Sequence, residues 1–489
     1  MSDLYIDGAW VTPVQPGELD VVNPYDASVL RCVDLAGPED VALAVEAARR
    51  AFSGVWRETS AAHRAAQLRR LADLLVRDRE LIAREESLDT GKTLKEGRID
   101  VDDVVSVFRY YADVADKDPG RVIDAGSAEV LSRVVHEPVG VCALIAPWNY
   151  PLLQMSWKLA PALAAGNTVV MKPSEVTPLT TIRLTRLVHE LELPAGVVNL
   201  VLGPGSVGAV LVEHPGVDLI SFTGGLSTGE TIMTAAARGV RRVALELGGK
   251  NPNIVFDDAD FETAVDYALL AGFLHSGQVC SAGSRLIVHS GVHDRFVAEL
   301  ARRAELIRLG NGLDEDTEVG PLVSESHRAK VESFIQATLD EGATLLAGGV
   351  RPSEPDLAKG YFLRPTLLGD CHRSMTAVRQ EVFGPVITVE RFDTEDEAIA
   401  LANDTDYGLA GGIWTNDAAR AQRVAGRLRH GTVWINDFHP YLPQAEWGGF
   451  GKSGIGRELG AAGLEEYREP KHIYQNLAPK PSGWFQGLR

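Results

Sequence analysis

Residues 141–175 read VCALIAPWNYPLLQMSWKLAPALAAGNTVVMKPSE and contain one complete unit of the predicted architecture. The short apolar run Val141–Ile145 predicts a strand, and Thr168–Met171 predicts the next one. Between them, the amphipathic stretch Pro151–Ala165 predicts a helix. A strand, a helix and a second strand in this order are typical of a parallel β-sheet.

The same alternation continues towards the C-terminus. Further strands are expected at Val197–Leu202, Leu219–Phe222 and Arg242–Leu245, and further helices at Thr177–Glu192, Ser206–Glu213 and Ser227–Ala237. After about Leu247 a second series begins, with the helix Phe261–His275 and the strands Asn253–Phe256, Arg285–His289, Val386–Arg391, Gly411–Trp414 and Gly431–Ile435. This pattern predicts an α/β protein with doubly wound parallel sheets.

The composition is that of a soluble globular protein and excludes several kinds of partner. Of the 489 residues, 45% are hydrophobic and 24% are charged, and 48 Lys and Arg against 67 Asp and Glu give a net charge of −19. Nucleic acids and anionic membranes require clustered Lys and Arg, so neither is an expected partner. The 4 cysteines have no CxxC or CxxH spacing, so we expect no metal site and no disulfide framework.

The chain shows no targeting segment and no membrane span by sequence. Its first residues, Met1–Tyr5, lack a basic region followed by an apolar stretch. Pro138–Trp157 is uncharged, but Pro147, Asn149 and Pro151 within it would break a spanning helix. We therefore expect a cytoplasmic protein.

Three short motifs carry groups that could act together in catalysis. Cys280 lies in a glycine-containing bend, where a lowered pKa would favour the nucleophilic thiolate, although a lone cysteine is more often an inert core residue. Glu246 ends an apolar strand, where poor solvation raises a carboxyl pKa towards that of a general base; pairing with Lys250 or Arg241 is the alternative. Asn149 lies between two prolines, so its amide could stabilise an oxyanion or could merely fill a turn.

Three loops at strand ends suggest a nucleotide site. Gly203–Gly208 matches GxGxxG between a predicted strand and a helix, and Phe222–Gly229 is a second glycine-containing loop of that kind. Met171–Glu175 ends another strand, where Lys172 and Glu175 could hydrogen-bond ribose hydroxyls. Each could be an ordinary turn, but the carboxyl ends of consecutive strands are where such a sheet binds ligands.

Together these motifs resemble the aldehyde dehydrogenase superfamily, whose members oxidise aldehydes to carboxylates with NAD(P). The resemblance covers nearly the whole chain, including Leu4–Gly8, Leu88–Thr93 and Gly451–Glu458, and the Glu246 and Cys280 motifs are highly specific together. It implies a Rossmann-like cofactor domain, an α/β catalytic domain and a small β arm for oligomerisation.

The resemblance also assigns roles to the catalytic groups. Cys280 would be the nucleophile, Glu246 the general base, and Asn149 would form the oxyanion hole with the Cys280 backbone N–H. The thiolate would add to the aldehyde, hydride would pass to the nicotinamide, and water activated by Glu246 would hydrolyse the resulting thioester. Lys158 and Glu458 match a charge relay, for which a structural salt bridge is the alternative.

The implied cofactor is NAD, held by residues from separate parts of the chain. Lys172 and Glu175 would hold the adenosine ribose, and the Glu175 carboxylate would repel the additional phosphate of NADP. Trp148 and a glycine-containing loop would meet the pyrophosphate, while Glu381 and Phe383 would position the nicotinamide end. The loop residues are Gly224, Gly225, Ser227 and Gly229, and many members of the superfamily have Ser where Gly225 stands.

Within the superfamily the chain most resembles the betaine aldehyde dehydrogenases, which hold a trimethylammonium group in an aromatic box. Tyr150, Trp157 and Trp447 match three walls of that box, and a well-placed ring contributes about 0.5–2 kcal/mol to binding such a cation. Aromatic residues at helical spacing are otherwise typical of a core, and Leu274 stands where some members have Trp. Betaine aldehyde is the predicted substrate. An ω-aminoaldehyde or general aliphatic aldehyde is the alternative, and a non-catalytic protein on the same fold is the alternative of another class.

The resemblance finally divides the chain into domains. We expect residues 1–120 and 139–247 to form the NAD-binding domain, residues 248–460 the catalytic domain, and residues 121–138 with 461–489 the oligomerisation arm. Val122–Val135 supports the arm, because it predicts two short strands around a glycine-containing turn. A homodimer or homotetramer is the expected assembly, with a small aldehyde as the other partner.

Overall fold

The computed structural model describes residues 2–117 and 120–484, and in them the chain folds around two large sheets. The strands of these residues are β1 (Leu4–Ile6), β2 (Ala9–Val11), β3 (Glu18–Val22), β4 (Val29–Asp34), β5 (Arg121–Ile123), β6 (Val130–Pro138), β7 (Val141–Ile145), β8 (Thr168–Lys172), β9 (Val198–Leu200), β10 (Leu219–Gly224), β11 (Arg242–Leu247), β12 (Pro252–Val255), β13 (Arg285–His289), β14 (Thr344–Ala347), β15 (Thr366–Gly369), β16 (Val386–Phe392), β17 (Ala410–Trp414), β18 (Thr432–Ile435), β19 (Gly454–Ile455) and β20 (Arg468–Asn476). The α-helices are α1 (Pro38–Ser53), α2 (Ala61–Arg77), α3 (Arg79–Thr90), α4 (Leu94–Val114), α5 (Pro151–Ala165), α6 (Leu179–His189), α7 (Gly205–Glu213), α8 (Leu226–Arg238), α9 (Phe261–Phe273), α10 (His293–Ala304), α11 (Glu325–Asp340), α12 (Thr376–Arg379), α13 (Glu395–Asn403), α14 (Ala418–Ala425) and α15 (Gly460–Glu465).

The first sheet contains the predicted strand–helix–strand unit. Its strand order is β19-β11-β10-β7-β8-β9-β1-β2, and the strands from β11 to β9 in this order run parallel. Both β7 and α5 have the predicted bounds, and β8 to β11 overlap the predicted runs. Because parallel strands require crossover connections, the helices α5 to α8 link them, and the carboxyl ends of the strands share one edge.

The second sheet has the order β14-β15-β16-β13-β12-β17-β18. Strand β14 pairs antiparallel with β15, and the pairs from β15 onwards are parallel. Strand β13 has the predicted bounds, and β12, β16, β17 and β18 overlap the predicted runs. The doubly wound α/β architecture is therefore confirmed, while the division into NAD-binding and catalytic domains stays a prediction.

A small three-stranded sheet, β20-β6-β5, corresponds to the expected arm. Strands β5 and β6 are the two predicted short strands and pair antiparallel, and β20 pairs along the whole length of β6. Residues 485–489, the last part of the expected arm, lie outside the described residues. Met1 and residues 118–119, which belong to the predicted NAD-binding domain, also lie outside them. Several apolar side chains of the expected arm are solvent-exposed in the single chain, namely Val122, Ile123, Leu131, Tyr474 and Leu477.

Helix α5 explains the uncharged window in the sequence. Every residue of α5 is buried, and the helix packs against α2, α4, α6 and the strands β7 and β8. The apolar character of residues 138–157 is thus that of a protein core. Within residues 2–117 and 120–484, none of the helices combines the length and the apolar composition that crossing a bilayer requires.

Asn167 connects three parts of this core, so its replacement by Ala should destabilise the protein. Its Oδ1 accepts a hydrogen bond from the Gly140 N–H at 2.8 Å, and its Nδ2 donates to the carbonyl oxygens of Ala162 at 3.2 Å and Tyr467 at 2.9 Å. Asn167→Ala leaves the buried Gly140 N–H unpaired and removes one of the hydrogen bonds to each carbonyl, although Ala162 and Tyr467 still accept from the backbone N–H groups of residue 167 and Val139. We expect the free energy of unfolding to fall by roughly 2–4 kcal/mol. Denaturant unfolding measures this free energy. Asn416→Ala, which alters an exposed asparagine, is the control. An equal loss of stability in the two variants would contradict the prediction.

Candidate active site

Cys280 lies in the loop between α9 and β13, after an unusual turn. His275, Ser276 and Gly277 have φ angles of 48°, 55° and 68°, so three consecutive residues adopt the left-handed conformation. At Gly277 a Cβ would collide with the carbonyl oxygen of Gly384, so this turn requires glycine there. The turn places Cys280 at the carboxyl edge of the first sheet, beside the end of β11.

Glu246 is buried at the end of β11, as predicted, with an exposure of 3%. Its Oε1 accepts a hydrogen bond from Trp447 Nε1 at 3.2 Å, and among the described residues Oε2 has no hydrogen-bond partner. Burial, and then the charge of Glu458, raise the pKa of Glu246 to about 8. The alternative pairing with Lys250 or Arg241 does not occur: Lys250 contacts Ser284, and Arg241 donates to backbone carbonyls.

Asn149 follows β7 and precedes α5. Its side chain is 4% exposed, and Nδ2 donates to the carbonyl oxygen of Gln278 at 2.8 Å. This bond ties the carboxamide to the loop that carries Cys280, and it occupies one of the two amide N–H groups. The other amide N–H remains for a ligand.

The three catalytic candidates border one cavity of about 180 Å³, here called the catalytic cavity. Cys280, Glu246 and Asn149 all line it, together with Trp148, Gln154, Glu381 and Phe383. In this cavity burial, and then the charges of Glu246 and Glu381, raise the pKa of the Cys280 thiol well above its ordinary value. That shift is the reverse of the lowered pKa expected from the sequence, because the loop buries the thiol and brings it beside two carboxyl groups.

A second cavity, of about 380 Å³, adjoins the catalytic cavity and has the features of a dinucleotide site; it is here called the cofactor cavity. Trp148, Lys172, Glu175, Gly224 and Gly225 line it, as predicted. Lys172 Nζ lies 4.0 Å from Glu175 Oε2, so the two predicted ribose ligands are adjacent.

The loops at the start of α7 and α8 fit a pyrophosphate in this cavity. Gly205 and Gly225 both face open space where a Cβ would stand, so a ligand can approach their backbone closely. Helix α8 has no side chain capping its N-terminus, which leaves N–H groups available to an anion. The residues present therefore fit NAD.

Two of the predicted loop residues do not border the cofactor cavity. Ser227 is exposed, and Gly229 is buried against Leu247. Thr228 and Thr231 line the cavity instead. The loop contributes as predicted, but helix α8 begins at Leu226 and its turn carries positions 228 and 231 towards the cavity.

Glu381 and Phe383, which were predicted to position the nicotinamide end, also line the catalytic cavity. Glu381 Oε1 accepts from the Gly249 N–H at 3.0 Å, and burial raises the pKa of Glu381 to about 7. The Phe383 ring packs edge-on against Trp148, with the ring centroids 5.2 Å apart. His327, which the sequence analysis missed, donates from Nε2 to the Phe383 carbonyl oxygen at 2.7 Å, because a carbonyl oxygen only accepts.

Lys158 and Glu458 form a buried ion pair close to Thr223, which lines the catalytic cavity. Lys158 Nζ also donates to Thr223 Oγ1 at 2.7 Å, and Thr223 is the register partner of Glu246 on the neighbouring strand. Glu458 in turn exchanges two backbone hydrogen bonds of 2.7 Å with Trp447, the residue that donates to Glu246. The pair is thus adjacent to the general-base candidate.

The three predicted aromatic walls all border a further cavity of about 360 Å³, the substrate cavity, which also reaches Cys280. Trp157 packs edge-on against Trp447 with centroids 5.9 Å apart, and Tyr441 adds a ring 5.2 Å from Trp157. Tyr150 is the residue immediately before α5, and Lys92 Nζ lies 4.1 Å from its ring centroid, so one ring face already carries a cation. Leu274, which stands where some members of the superfamily have Trp, also lines the substrate cavity.

The substrate cavity also has carboxyl groups that sequence reasoning missed. Glu96, Asp100 and Asp103 of α4 line it. Glu96 is engaged by the backbone N–H groups of Thr93 and His275, and Asp100 pairs with Lys92. Asp103 has no cationic partner among the described residues; it accepts from Tyr441 Oη at 2.6 Å, and burial raises its pKa to about 6. Their helical spacing was visible in the sequence, but nothing there showed which cavity α4 faces.

Doubly wound sheets, a dinucleotide-sized cavity and a cysteine beside a buried carboxyl group and a carboxamide define a nucleotide-dependent oxidoreductase with a covalent intermediate. The family model described as "Aldehyde dehydrogenase family" matches residues 10–473. The chain belongs to the aldehyde dehydrogenase family and is an aldehyde dehydrogenase.

Individual relatives match over nearly the whole chain. It is 55% identical to the betaine aldehyde dehydrogenase of Bacillus subtilis over 484 residues, 99% of each chain. It is 44% identical to peroxisomal aminoaldehyde dehydrogenase 1 of Pisum sativum, over 99% of this chain and 97% of the relative. A crystal structure of betaine aldehyde dehydrogenase from Staphylococcus aureus in complex with NAD+ superposes with a TM-score of 0.98 at 55% identity, over 99% of this chain and 96% of that one.

The position of Glu246 predicts a change in thiol reactivity. Its carboxylate raises the pKa of Cys280, so Glu246→Gln should increase the thiolate fraction in the cofactor-free enzyme. At pH 9, above the pKa of about 8 of Glu246, we expect iodoacetamide to alkylate Cys280 roughly tenfold faster in this variant, because the thiolate is the reacting form.

Mass spectrometry of the peptide containing Cys280 measures this rate separately from that of the exposed Cys32. Glu305→Gln, which removes an exposed carboxylate, should leave the rate unchanged. Equal rates in Glu246→Gln and the unmodified protein would show that the two groups do not interact.

Proposed function

We propose that this chain oxidises betaine aldehyde to glycine betaine with NAD as hydride acceptor, by means of Cys280, Glu246 and Asn149. The observation that carries the proposal is an aromatic cavity, with the carboxyl group of Asp103 in its wall, that opens onto the Cys280 thiol. Aromatic faces and a carboxylate both attract a quaternary ammonium group, and neither requires it to donate a hydrogen bond. Relatives named for betaine aldehyde, one of them crystallised with NAD+, support the same substrate and cofactor.

Cys280 acts as the nucleophile. Its thiolate adds to the aldehyde carbon, and the free N–H of the Asn149 amide stabilises the oxyanion that forms. NAD, when bound, accepts the hydride as this adduct collapses. Cys280 then carries the acyl group as a thioester.

Glu246 acts as the general base for hydrolysis. With a pKa of about 8, it is partly ionised at neutral pH and can take a proton from water as the water attacks the thioester. Lys158 and Glu458 pass that proton onwards; Glu458 Oε2 has no partner among the described residues and can receive it. A structural salt bridge is the alternative role of this pair.

The cofactor cavity favours NAD over NADP. Glu175 lines it beside Lys172, and a carboxylate there repels the additional phosphate of NADP. Lys172 and Glu175 hold the ribose, Trp148 and the loop with Gly224 and Gly225 hold the pyrophosphate, and Glu381 and Phe383 position the nicotinamide end.

An ω-aminoaldehyde is the second candidate substrate. Carboxyl groups in the substrate cavity can accept hydrogen bonds from a primary ammonium group, which a trimethylammonium group cannot donate. The similarity to the pea aminoaldehyde dehydrogenase favours this candidate too.

A panel of aldehydes assayed with both cofactors tests the proposal. We expect kcat/KM to be largest for betaine aldehyde with NAD, lower for ω-aminoaldehydes and lowest for propanal. Equal values for betaine aldehyde and propanal would overturn the substrate assignment. Absence of NADH formation with every aldehyde, in a protein that binds NAD, would instead favour a non-catalytic role.

Asp103 should make the recognition of cationic aldehydes depend on pH. Its pKa of about 6 means that the attracting carboxylate is present above pH 6 and is lost as the pH falls through this value. At pH 8 we expect Asp103→Asn to raise the KM for betaine aldehyde roughly tenfold, which corresponds to the loss of one charge interaction of about 1.4 kcal/mol. The KM for propanal, which carries no charge, should stay within twofold.

The matched control is Asp102→Asn, because Asp102 is the adjacent, exposed residue of α4 and pairs with Arg79 outside the cavity. Equal KM changes for the charged and the uncharged aldehyde, or in both variants, would contradict the role of Asp103.

The same proposal includes the assembly and the location of the protein. The exposed apolar residues of the arm, among them Val122 and Tyr474, support packing against a second subunit in a homodimer or homotetramer.

The 4 cysteines of the chain are all free in the structure, which supports a reducing compartment such as the cytoplasm. The domain limits, with residues 1–120 and 139–247 binding NAD, belong to this proposal as well.

A further inference from the structure

Gln154 lies between the substrate cavity and the catalytic cavity and has no role in the proposed reaction. Two side chains, Cys280 and Gln154, border both the substrate cavity and the catalytic cavity. The substrate carbon must meet the thiol at this junction, so the Gln154 side chain lies where the reaction takes place. It is 4% exposed and is held on the fully buried helix α5.

The orientation of the Gln154 amide follows from its neighbours. Lys158 Nζ has no lone pair and donates to Thr223 Oγ1 at 2.7 Å, so the single hydroxyl hydrogen of Thr223 is left to donate elsewhere. It donates to Gln154 Oε1 at 3.1 Å. The amide oxygen is thus occupied, and the two hydrogens of Nε2 face away from Thr223.

These N–H groups and the general base are complementary. Among the described residues no hydrogen bond occupies Gln154 Nε2, and Glu246 Oε2 likewise has no partner. Both side chains line the catalytic cavity with Cys280. Glu246 is also the register partner of Thr223, which places its side chain on the same face of the sheet as the hydroxyl that orients Gln154. A water molecule between them would accept from Nε2 and donate to Oε2.

We infer that Gln154 positions the water that hydrolyses the thioester on Cys280. The water accepts a hydrogen bond from Nε2 and gives one proton to the Glu246 carboxylate as its oxygen bonds to the thioester carbon. The carbon–sulfur bond then breaks, the carboxylic acid leaves, and Cys280 regains its thiolate. This role rests on the proposed function and assigns to Gln154 the second half of the reaction.

Two variants and a time-resolved assay test the inference. Gln154→Met keeps the length of the side chain and removes its donors, and Gln154→Leu also removes them; neither variant adds a charge beside Cys280. With betaine aldehyde and NAD, we expect both variants to form the first equivalent of NADH within twofold of the unmodified rate. Their steady-state kcat should fall roughly tenfold, the effect of losing one hydrogen bond in a buried site.

Hydroxylamine provides the second measurement. It attacks a thioester without a positioned base, so it should raise the turnover of both variants and change that of the unmodified enzyme much less. A slower first turnover would place the donor at the oxyanion instead, and a rise in KM alone would make Gln154 a binding residue; either result overturns the inference. If the unmodified enzyme oxidises the aldehyde and the variants match it, this inference fails while the proposed function stands.

Discussion

The buried ion pair between Lys158 and Glu458 is the interaction on which the site depends. Helix α5 is buried along its whole length, and a lysine ammonium can remain there only with a compensating charge and hydrogen bonds. Glu458 supplies the charge from a segment 300 positions further along the chain, and Thr223 supplies an acceptor. Glu458 also pairs through its backbone with Trp447, which donates to the Glu246 carboxyl group, so one electrostatic requirement ties helix α5 to the surroundings of the general-base candidate.

The electrostatics of this cavity also set an order of events. Burial, and then the charges of Glu246 and Glu381, raise the pKa of the Cys280 thiol, so a thiolate is disfavoured while Glu246 is ionised. Burial and Glu458 raise the pKa of Glu246, whereas a hydrogen bond with Cys280 lowers it. Forming the thioester removes the sulfur charge, so that an ionised Glu246 no longer stands beside an anionic sulfur at the stage when a base is required. The buried, acidic surroundings therefore separate the step that needs a thiolate from the step that needs a carboxylate.

The sequence predicted those features that depend on local pattern. Strand β7, helix α5 and strand β13 have the predicted bounds, because each is a mostly apolar run that begins and ends at recognisable residues. It also placed Glu246 at a strand end and Cys280 in a loop. It did not predict Tyr441, Asp103, His327 or strand β20, whose roles arise from contacts between distant segments: Tyr441 and Asp103 are 338 positions apart. It assigned Ser227 and Gly229 to the cofactor loop, whereas Thr228 and Thr231 line the cofactor cavity, since the helix phase decides which residues face it.

The charges around the substrate cavity explain why a cationic aldehyde suits it. Of the three acidic residues that α4 contributes, Glu96 is satisfied by backbone N–H groups and Asp100 by Lys92, so neither needs a ligand. Asp103 receives a single hydrogen bond from Tyr441, whose ring packs against Trp157 and Trp447. The carboxylate and the aromatic faces therefore act on the same space, the first through its charge and the second through their quadrupoles. An uncharged aldehyde leaves Asp103 without compensation in that space, and a cation at the far end of the substrate removes this cost while its aldehyde group reaches Cys280.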